Sequence, residues 1–191
     1  MMSISKILCF FSGKIPSALA ALFLVLLLAL PVSTAAQEVA EYHIKAVFLS
    51  NLTHFVNWPA DAEKEDKDFV IGIYGPDPFE SVLDKVVSGE KKGNSPIKIE
   101  HYSQLSEISQ NRCKILFIHS SKIREWPTIR QHFSGFPVLT VADVAGFPEE
   151  GGMVNLLKTG QKIQVEINNG AVQQAGLFMS SKLLSLARIV Q

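Results

Sequence analysis

The sequence has little cysteine and no excess of charge of either sign. Cys9 and Cys113 are its two cysteines among 191 residues, and its 18 Lys and Arg residues equal its 18 Asp and Glu residues. Its basic residues form no cluster interleaved with aromatic ones, the usual mark of a surface that follows a phosphate backbone. We therefore expect neither DNA nor RNA to be a partner of this protein.

The sequence also lacks the spacing that metal, nucleotide and nucleophile sites require. Glu149 and Glu150 lie in the glycine-rich segment 146–152 and would repel a phosphate. Ser120 and Ser121 are not set in the glycine pattern of a nucleophile elbow. Metal-ligand spacing is absent among the five histidines, His43, His54, His101, His119 and His132. We expect no catalytic residue, no metal, no cofactor and no enzyme activity; a hydrolase acting through His119 is the less favoured alternative.

The N-terminal segment has the three parts of an export signal. Lys6 and Lys14 supply positive charge, and residues 18–30 form an apolar run of 13 residues. At about 1.5 Å per residue this run reaches ~20 Å, short of the ~30 Å hydrocarbon core of a bilayer. Small residues follow at 34–36. We predict a signal peptide, 1–36, that is cleaved after Ala36; an uncleaved anchor is the alternative.

The expected processed chain, 37–191, is long enough for one domain and would work in the periplasm without inserting into the membrane. It keeps 16 basic and 18 acidic residues, and Cys113 is its one cysteine. No internal disulfide is therefore available. Because Cys113 directly precedes the apolar run 115–118, we expect a buried thiol at a strand end.

Between residues 39 and 141 the apolar pattern alternates between helix and strand spacing. Apolar residues recur every three or four positions at 39–58, and Pro59 ends that helix. A polar linker follows at 61–68. The further predicted elements are a strand at 69–74, a helix at 78–87, strands at 97–102 and 114–119, a helix at 121–132 capped by Ser120 or Ser121, and a strand at 138–141. This order predicts a mostly parallel sheet.

The C-terminal part of the sequence follows a different pattern. Strands at 153–157 and 162–168 are separated by four residues, which is hairpin spacing, so we expect an antiparallel edge. A final helix at 171–189 should pack over the sheet. The predicted fold class is α/β: a single-domain three-layer sandwich with a mostly parallel sheet, helices on both faces, and a C-terminal antiparallel hairpin followed by a helix.

Ligands in open α/β sheets gather at the carboxyl ends of the parallel strands. Here those ends carry Gly75, Asp77, His119, Ser120 and Asp143, which form the predicted ligand pocket. The pocket supports an alternative function, a periplasmic protein that binds and senses a small molecule.

An ordered series of motifs covers nearly the whole expected processed chain. The motifs are Tyr42, Ile44, Lys45, Ala46, Phe48, Asn51, Phe55, Val56, Trp58 and Pro59; Ile71 to Phe79; Ile115 to Ile118 with Ser120; Pro137 to Val141 with Asp143, Gly146 and Phe147; Gly151 to Met153; Val165 to Asn168; Ala175 to Leu177; and Ser181 to Leu184 with Leu186 and Ala187. In these motifs the chain resembles the YfiR-like family of periplasmic regulatory proteins, formerly a domain of unknown function.

The resemblance implies a repressor that binds the periplasmic domain of an inner-membrane diguanylate cyclase, or of a sensor kinase, and lets cyclic di-GMP rise when envelope signals release it. It also implies a homodimer with a ligand-responsive region on the C-terminal hairpin and helix. Two features depart from the family pattern. Relatives are oxidised at cysteine pairs, whereas the expected processed chain has one cysteine, and no basic residue is offered near Asn57, Phe178 and Ser180, where relatives hold small ligands.

Glu166 is the residue of greatest interest, because a carboxylate on a strand must be paired if it is buried. An exposed strand face is the alternative. The resemblance implies a role for Glu166 in the repressing conformation, with Val154, Asn168 and Val172 as further partner-binding or regulatory residues. Our hypothesis is that this cluster couples the hairpin to the last helix, so that disturbing it changes partner binding without unfolding the sheet.

Overall fold

The computed structural model describes residues 34–60 and 68–190. Residues 1–33 of the predicted signal peptide and residues 61–67 of the predicted linker lie outside the described residues. Residues Glu38–Gln191 belong to one compact unit. The helices are α1 (Thr34–Phe55), α2 (Ser81–Val87), α3 (Trp126–His132), α4 (Asn169–Gln174) and α5 (Ser181–Leu184), with 3-10 turns at Leu105–Glu107 and Ser120–Glu125.

Eight strands form one sheet in the order β10-β8-β7-β6-β5-β2-β4-β3. The strands are β1 (Val56–Asn57), β2 (Phe69–Tyr74), β3 (Lys91–Lys92), β4 (Ser95–Tyr102), β5 (Cys113–Ile118), β6 (Leu139–Ala142), β7 (Val154–Thr159), β8 (Lys162–Asn168), β9 (Phe178–Met179) and β10 (Arg188–Val190). From β4 through β2, β5 and β6 to β7 the neighbours are parallel. β7 and β8 form an antiparallel hairpin, and β1 pairs with β9 outside the main sheet.

Each face of the sheet carries its own hydrophobic core. On β5, Ile115 and Phe117 join one core, and Leu116 and Ile118 join the other, because successive side chains of a strand point to opposite faces. The first core is covered by the three-residue-spaced Ala46, Leu49 and Leu52 of α1, among others. The second is covered by Trp126 and Ile129 of α3 and by Phe133, which directly follows that helix. These layers confirm the predicted fold class.

The prediction of one continuous final helix at 171–189 is wrong. α4 ends at Gln174, and Gly176 adopts a φ of 73° that favours glycine and turns the chain out of the helix. The Ser180 side chain then accepts from the Leu183 amide and begins α5 as a separate element. Apolar spacing alone did not reveal these two local breaks.

The prediction that the hairpin forms the edge of the sheet is wrong. β10 continues the sheet beyond it, parallel to β8, with Ile189 opposite Ile167. The cap prediction also needs correction, because the ring of His119, rather than Ser120 or Ser121, accepts from the Ser121 amide and caps the following turn.

Candidate functional site

The predicted pocket residues share one edge of the sheet but make separate contacts. His119 lies against Gly75, where a Cβ atom added to the glycine would come within 3.1 Å of the His119 Cβ. Asp77 accepts from the Phe79 amide at 2.8 Å and lies 3.0 Å from His101 Nε2. The structure therefore brings Gly75 and His119 together and engages Asp77 elsewhere. Ser120 is exposed at the start of a 3-10 turn. Asp143, the last of the five predicted pocket residues, contacts α1 instead.

A buried set of charges fastens α1 to this end of the sheet, and we call it the α1 ion network. Lys45 Nζ lies 2.5 Å from Glu41 Oε1 and 2.8 Å from Asp143 Oδ2. The Tyr42 hydroxyl donates to Asp143 Oδ2 at 3.0 Å. Lys158 Nζ, on β7, approaches Glu41 Oε2 at 2.7 Å. The network thus joins α1, the segment after β6 and the hairpin.

The centre of the α1 ion network is nearly closed to solvent, whereas Lys158 at its outer end is 34% exposed. The side chains of Lys45 and Asp143 are 2% and 5% exposed. Although burial by itself raises the pKa of Glu41, hydrogen bonds from Lys158 and Lys45 lower it overall. Burial, followed by the charge of Asp143, raises the pKa of Tyr42, so the phenol stays protonated and donates. Asp143 is therefore occupied by α1 rather than open to a ligand.

Sequence reasoning placed Lys45 and Asp143 in separate motifs and did not relate them. The two residues are 98 positions apart, and no periodicity connects a helix to a loop at that distance. The available signal was the pair of charged residues inside otherwise apolar motifs, since a charge buried with an apolar helix face needs a partner.

A cavity of about 360 Å³ opens at the carboxyl ends of β2 and β4. Tyr74, Lys122 and Glu125 line it, together with residues 103–106 and Thr128. The Tyr74 hydroxyl donates to Glu125 Oε2 at 2.5 Å, and Lys122 Nζ lies 3.1 Å from Glu125 Oε1. These bonds from Tyr74 and then Lys122 lower the pKa of Glu125. A cavity therefore exists at the predicted end of the strands, with a lining different from the predicted one.

Glu166 is buried on β8, with 3% of its side chain exposed, so the alternative of an exposed strand face does not hold. Its Oε1 atom accepts from Arg188 Nε at 2.9 Å and from Arg188 Nη2 at 2.6 Å. Its Oε2 atom accepts from Asn155 Nδ2 at 3.0 Å. Arg188 also reaches Glu149 Oε1 at 3.3 Å. These four residues, Glu149, Asn155, Glu166 and Arg188, are the Glu166 cluster.

The Glu166 cluster connects three adjacent strands. Asn155 lies opposite Glu166 on β7, and Arg188 lies opposite Glu166 on β10. Among the described residues the buried Asn155 Oδ1 atom has no hydrogen-bond partner. Arg188 is half exposed. A buried carboxylate thus holds the outermost strand through a partner that water can reach.

The other proposed regulatory residues divide between the two faces. Val154 and Val172 lie in the core that α1 covers, and Val154 is opposite Ile167 rather than Glu166. Asn168 shares the face of Glu166, two residues further along β8. Its side chain accepts from the Ala171 amide at 2.9 Å and donates to the Pro148 carbonyl at 2.9 Å, so it fixes the start of α4.

Cys113 and possible metal ligands are the remaining candidates for a reactive site. Cys113 is fully buried, as expected, and burial raises the pKa of its thiol to about 12. Within residues 34–60 and 68–190, no group of three or more metal-ligating side chains is found. In the same part of the chain no helix has the length and apolar content needed to cross a bilayer.

Comparisons with known proteins bear on the fold and the family. No curated protein matches the chain. A solved structure described as the ABC domain in complex with L-Trp from Streptococcus pneumonia is similar, with a TM-score of 0.53 and 9% sequence identity. The match covers 76% of this chain and 60% of that one, so it shows a shared fold and nothing further. A family model described as YfiR/HmsC-like matches residues 42–188. The match spans the Glu166 cluster and, apart from Glu41, the α1 ion network, and this chain belongs to the YfiR/HmsC-like family.

Proposed function

We propose that this protein is a periplasmic, non-enzymatic regulator that represses an inner-membrane diguanylate cyclase by binding its periplasmic domain. Release of the protein would then let cyclic di-GMP rise. Membership of the YfiR/HmsC-like family supports the regulatory role. A sensor kinase is the other partner class that the family resemblance allows, and the active form is proposed to be a homodimer that a cleaved signal peptide has directed to the periplasm.

The observation that carries the proposal is the way Glu166 holds β10. β10 has three residues and occupies the edge of the sheet, where backbone groups are open to pairing with another chain. Next to Arg188, Ile189 is 45% exposed, and Leu186 is 76% exposed. An apolar edge fixed by one buried carboxylate is suited to a partner that must later be released.

Val154 and Val172 have a different part in this proposal. They are fully buried in the core that α1 covers, Val154 on the hairpin and Val172 on α4. Substitutions there would shift the position of α4, and Asn168 would transmit that shift to the face of Glu166. We therefore propose that Glu166 contributes directly to the repressing conformation and that the two valines act through packing.

Co-purification tests the proposal. The complete sequence is expressed, and the protein as processed by the host is mixed with periplasmic domains of the host's membrane-bound diguanylate cyclases. Binding, together with a rise in cellular cyclic di-GMP on deletion of the gene, is the expected result. A Glu166→Ala protein should lose at least about tenfold in affinity, since hydrogen bonds to a buried charge are among the stronger ones.

Gln164→Ala is the matched control, because Gln164 lies on the same face of β8 two residues before Glu166. It should bind as the wild type does. Full affinity of a folded Glu166→Ala protein would remove the role of this residue. The absence of both binding and a change in cyclic di-GMP would overturn the regulatory proposal as a whole.

A second candidate function is binding of a small molecule at the carboxyl ends of the strands. The observation in its favour is the cavity of about 360 Å³ between Tyr74, Lys122 and Glu125. A ligand that raises the melting temperature, and no longer does so in a Lys122→Met protein, would support it. Lys182→Met, which replaces a lysine outside this cavity, is the control.

A further inference from the structure

A second cavity, of about 450 Å³, lies on the sheet face that α3 covers. One wall is formed by α3 and the turn after it, and the opposite wall by α4. Val138, Thr140 and Met153 line it from β6 and the segments that adjoin β6 and β7. The volume falls within the range of about 300–1,000 Å³ that small-molecule sites occupy. It is separate from the cavity at Tyr74, with which it shares no lining residue.

Arg130 is the only charged residue among the described residues that line this cavity. No carboxylate of residues 34–60 and 68–190 pairs with Arg130, and its side chain is exposed. The guanidinium lies against Gly151, where an added Cβ atom would be 3.0 Å from Arg130 Nη1. Gly151 also has a φ of 90°, a conformation that favours glycine. A glycine therefore leaves room for the guanidinium at the wall of the cavity.

The rest of the lining combines neutral polar groups with apolar ones. Gln174 and Ser134 are exposed polar residues of the wall, and Val138, Met153 and Ala175 supply apolar surface. A guanidinium binds a carboxylate through two parallel N–H···O bonds. One positive charge balances a carboxylate, whereas a phosphate monoester carries about −1.5 to −2 at pH 7 and would remain partly unpaired.

We infer that this cavity binds a small organic monocarboxylate, with the carboxylate on Arg130 and the apolar part toward Val138 and Met153. The site is not required by the proposed regulatory function and can be tested without any partner protein. It has one structural link to that function. Asn168 lines the cavity and caps α4, and it lies two residues from Glu166 on the same face of β8.

The test uses the protein expressed from the complete sequence, with phenylacetate and 4-methylpentanoate as probes. Their binding is followed by titration calorimetry, by melting temperature, and by tryptophan fluorescence, to which Trp126 of the cavity wall and Trp58 elsewhere both contribute. Millimolar carboxylate should raise the melting temperature of the wild type. Arg130→Gln should weaken binding by about tenfold or more, because it removes a charge-assisted pair of hydrogen bonds.

The matched control is Arg124→Gln, which removes an arginine that lies in the 3-10 turn before α3 and is not part of the cavity lining. It should bind within about twofold of the wild type. Phenylacetamide, the neutral analogue of phenylacetate, should not bind. The inference is overturned if neither carboxylate binds, if Arg130→Gln binds as well as the wild type, or if inorganic phosphate binds more tightly than both carboxylates. Because none of these measurements involves the cyclase, they stand apart from the test of the regulatory function.

Discussion

The α1 ion network and the Glu166 cluster both hold buried carboxylates across separate elements, yet they differ in how completely they are closed. In the network, Lys45 and Asp143 are almost fully buried, and the bonded element is a helix of 22 residues. In the cluster, Glu166 is buried but Arg188 is half exposed, and the bonded element is a strand of three residues. The same chemistry thus fastens a helix through the almost fully buried Lys45 and Asp143 in one place, and an edge strand through the half-exposed Arg188 in the other.

The buried polar atoms support this contrast. Lys45 contacts two carboxylates, and each of these has a second partner, Lys158 for Glu41 and Tyr42 for Asp143. In the cluster, the Oδ1 atom of Asn155 is left without a partner among the described residues. A buried oxygen without a hydrogen bond costs free energy in the folded state.

The largest effect is expected from Lys45→Met. The substitution keeps much of the side-chain volume but removes the cation that neutralises the buried Asp143, and it leaves Glu41 with Lys158 as its remaining cation. Breaking a buried ion pair in this way typically costs about 3–5 kcal/mol in the free energy of unfolding. Urea unfolding followed by circular dichroism measures the loss. Lys85→Met, a substitution at an exposed position of α2, is the control, and a loss below about 1 kcal/mol for Lys45→Met would contradict the role given to the network.

A smaller loss of stability is expected from Glu166→Ala. The Asn155 amide loses its buried acceptor, and a buried group left without its hydrogen bond costs about 1–3 kcal/mol. Relative to the wild type, the substitution should accelerate hydrogen exchange at the amides of β10 more than at those of β5. The reason is that β10 opens locally while the core strands remain paired. Hydrogen exchange read by mass spectrometry separates the two strands. Equal acceleration throughout the sheet would show that β10 is not an independent unit.

The pH dependence of stability tests the pairing of Glu41 in the α1 ion network. The lowered pKa of Glu41 in the folded protein means that its carboxylate stabilises the fold above the unfolded value of 4.5. This stability is lost as the pH falls through the folded pKa. Lys158→Met removes one of the two cations that lower that pKa, so its unfolding free energy should fall less steeply between pH 6 and pH 3. Unfolding curves at each pH test this, and identical slopes for the two proteins would contradict it.

The smallest effect is expected from Glu149→Gln. Glu149 is 46% exposed and lies 3.3 Å from Arg188, and surface pairs of this kind contribute little. The urea midpoint should not change measurably, and partner binding should remain. A large change in either would mean that the outer end of the cluster is as important as Glu166 itself.

Strands β2 and β5 at the centre of the sheet could be predicted from sequence because each is a short apolar run. The segments 69–74 and 114–119 were predicted, and β2 and β5 are found at Phe69–Tyr74 and Cys113–Ile118. A strand that is buried on both faces has an unbroken apolar run in its sequence, and this run can be recognised without knowing the rest of the fold. The end of α1 near Pro59 followed equally from local chemistry.

The segment after Asn168 could not be predicted in the same way. Its apolar residues fit a helical spacing, yet some of them pack in the core, whereas Leu186 is exposed beside an edge strand. Whether Arg188–Val190 forms a strand depends on the presence of β8 with open backbone groups and a buried carboxylate for Arg188. That information lies in a different part of the chain.

The sequence by itself determined the fold class, the strands of the core, the burial of Cys113 and the resemblance to the family, because these depend on residue types within short windows. Only the tertiary structure decided which charges meet. It joined Lys45 to Asp143 and Arg188 to Glu166, separated Val154 from the face of Glu166, and placed Arg130 beside a cavity with no carboxylate partner in residues 34–60 and 68–190. The physical reason is that the electrostatic energy of a side chain depends on distance and burial, and both are set by the packing of elements remote in sequence.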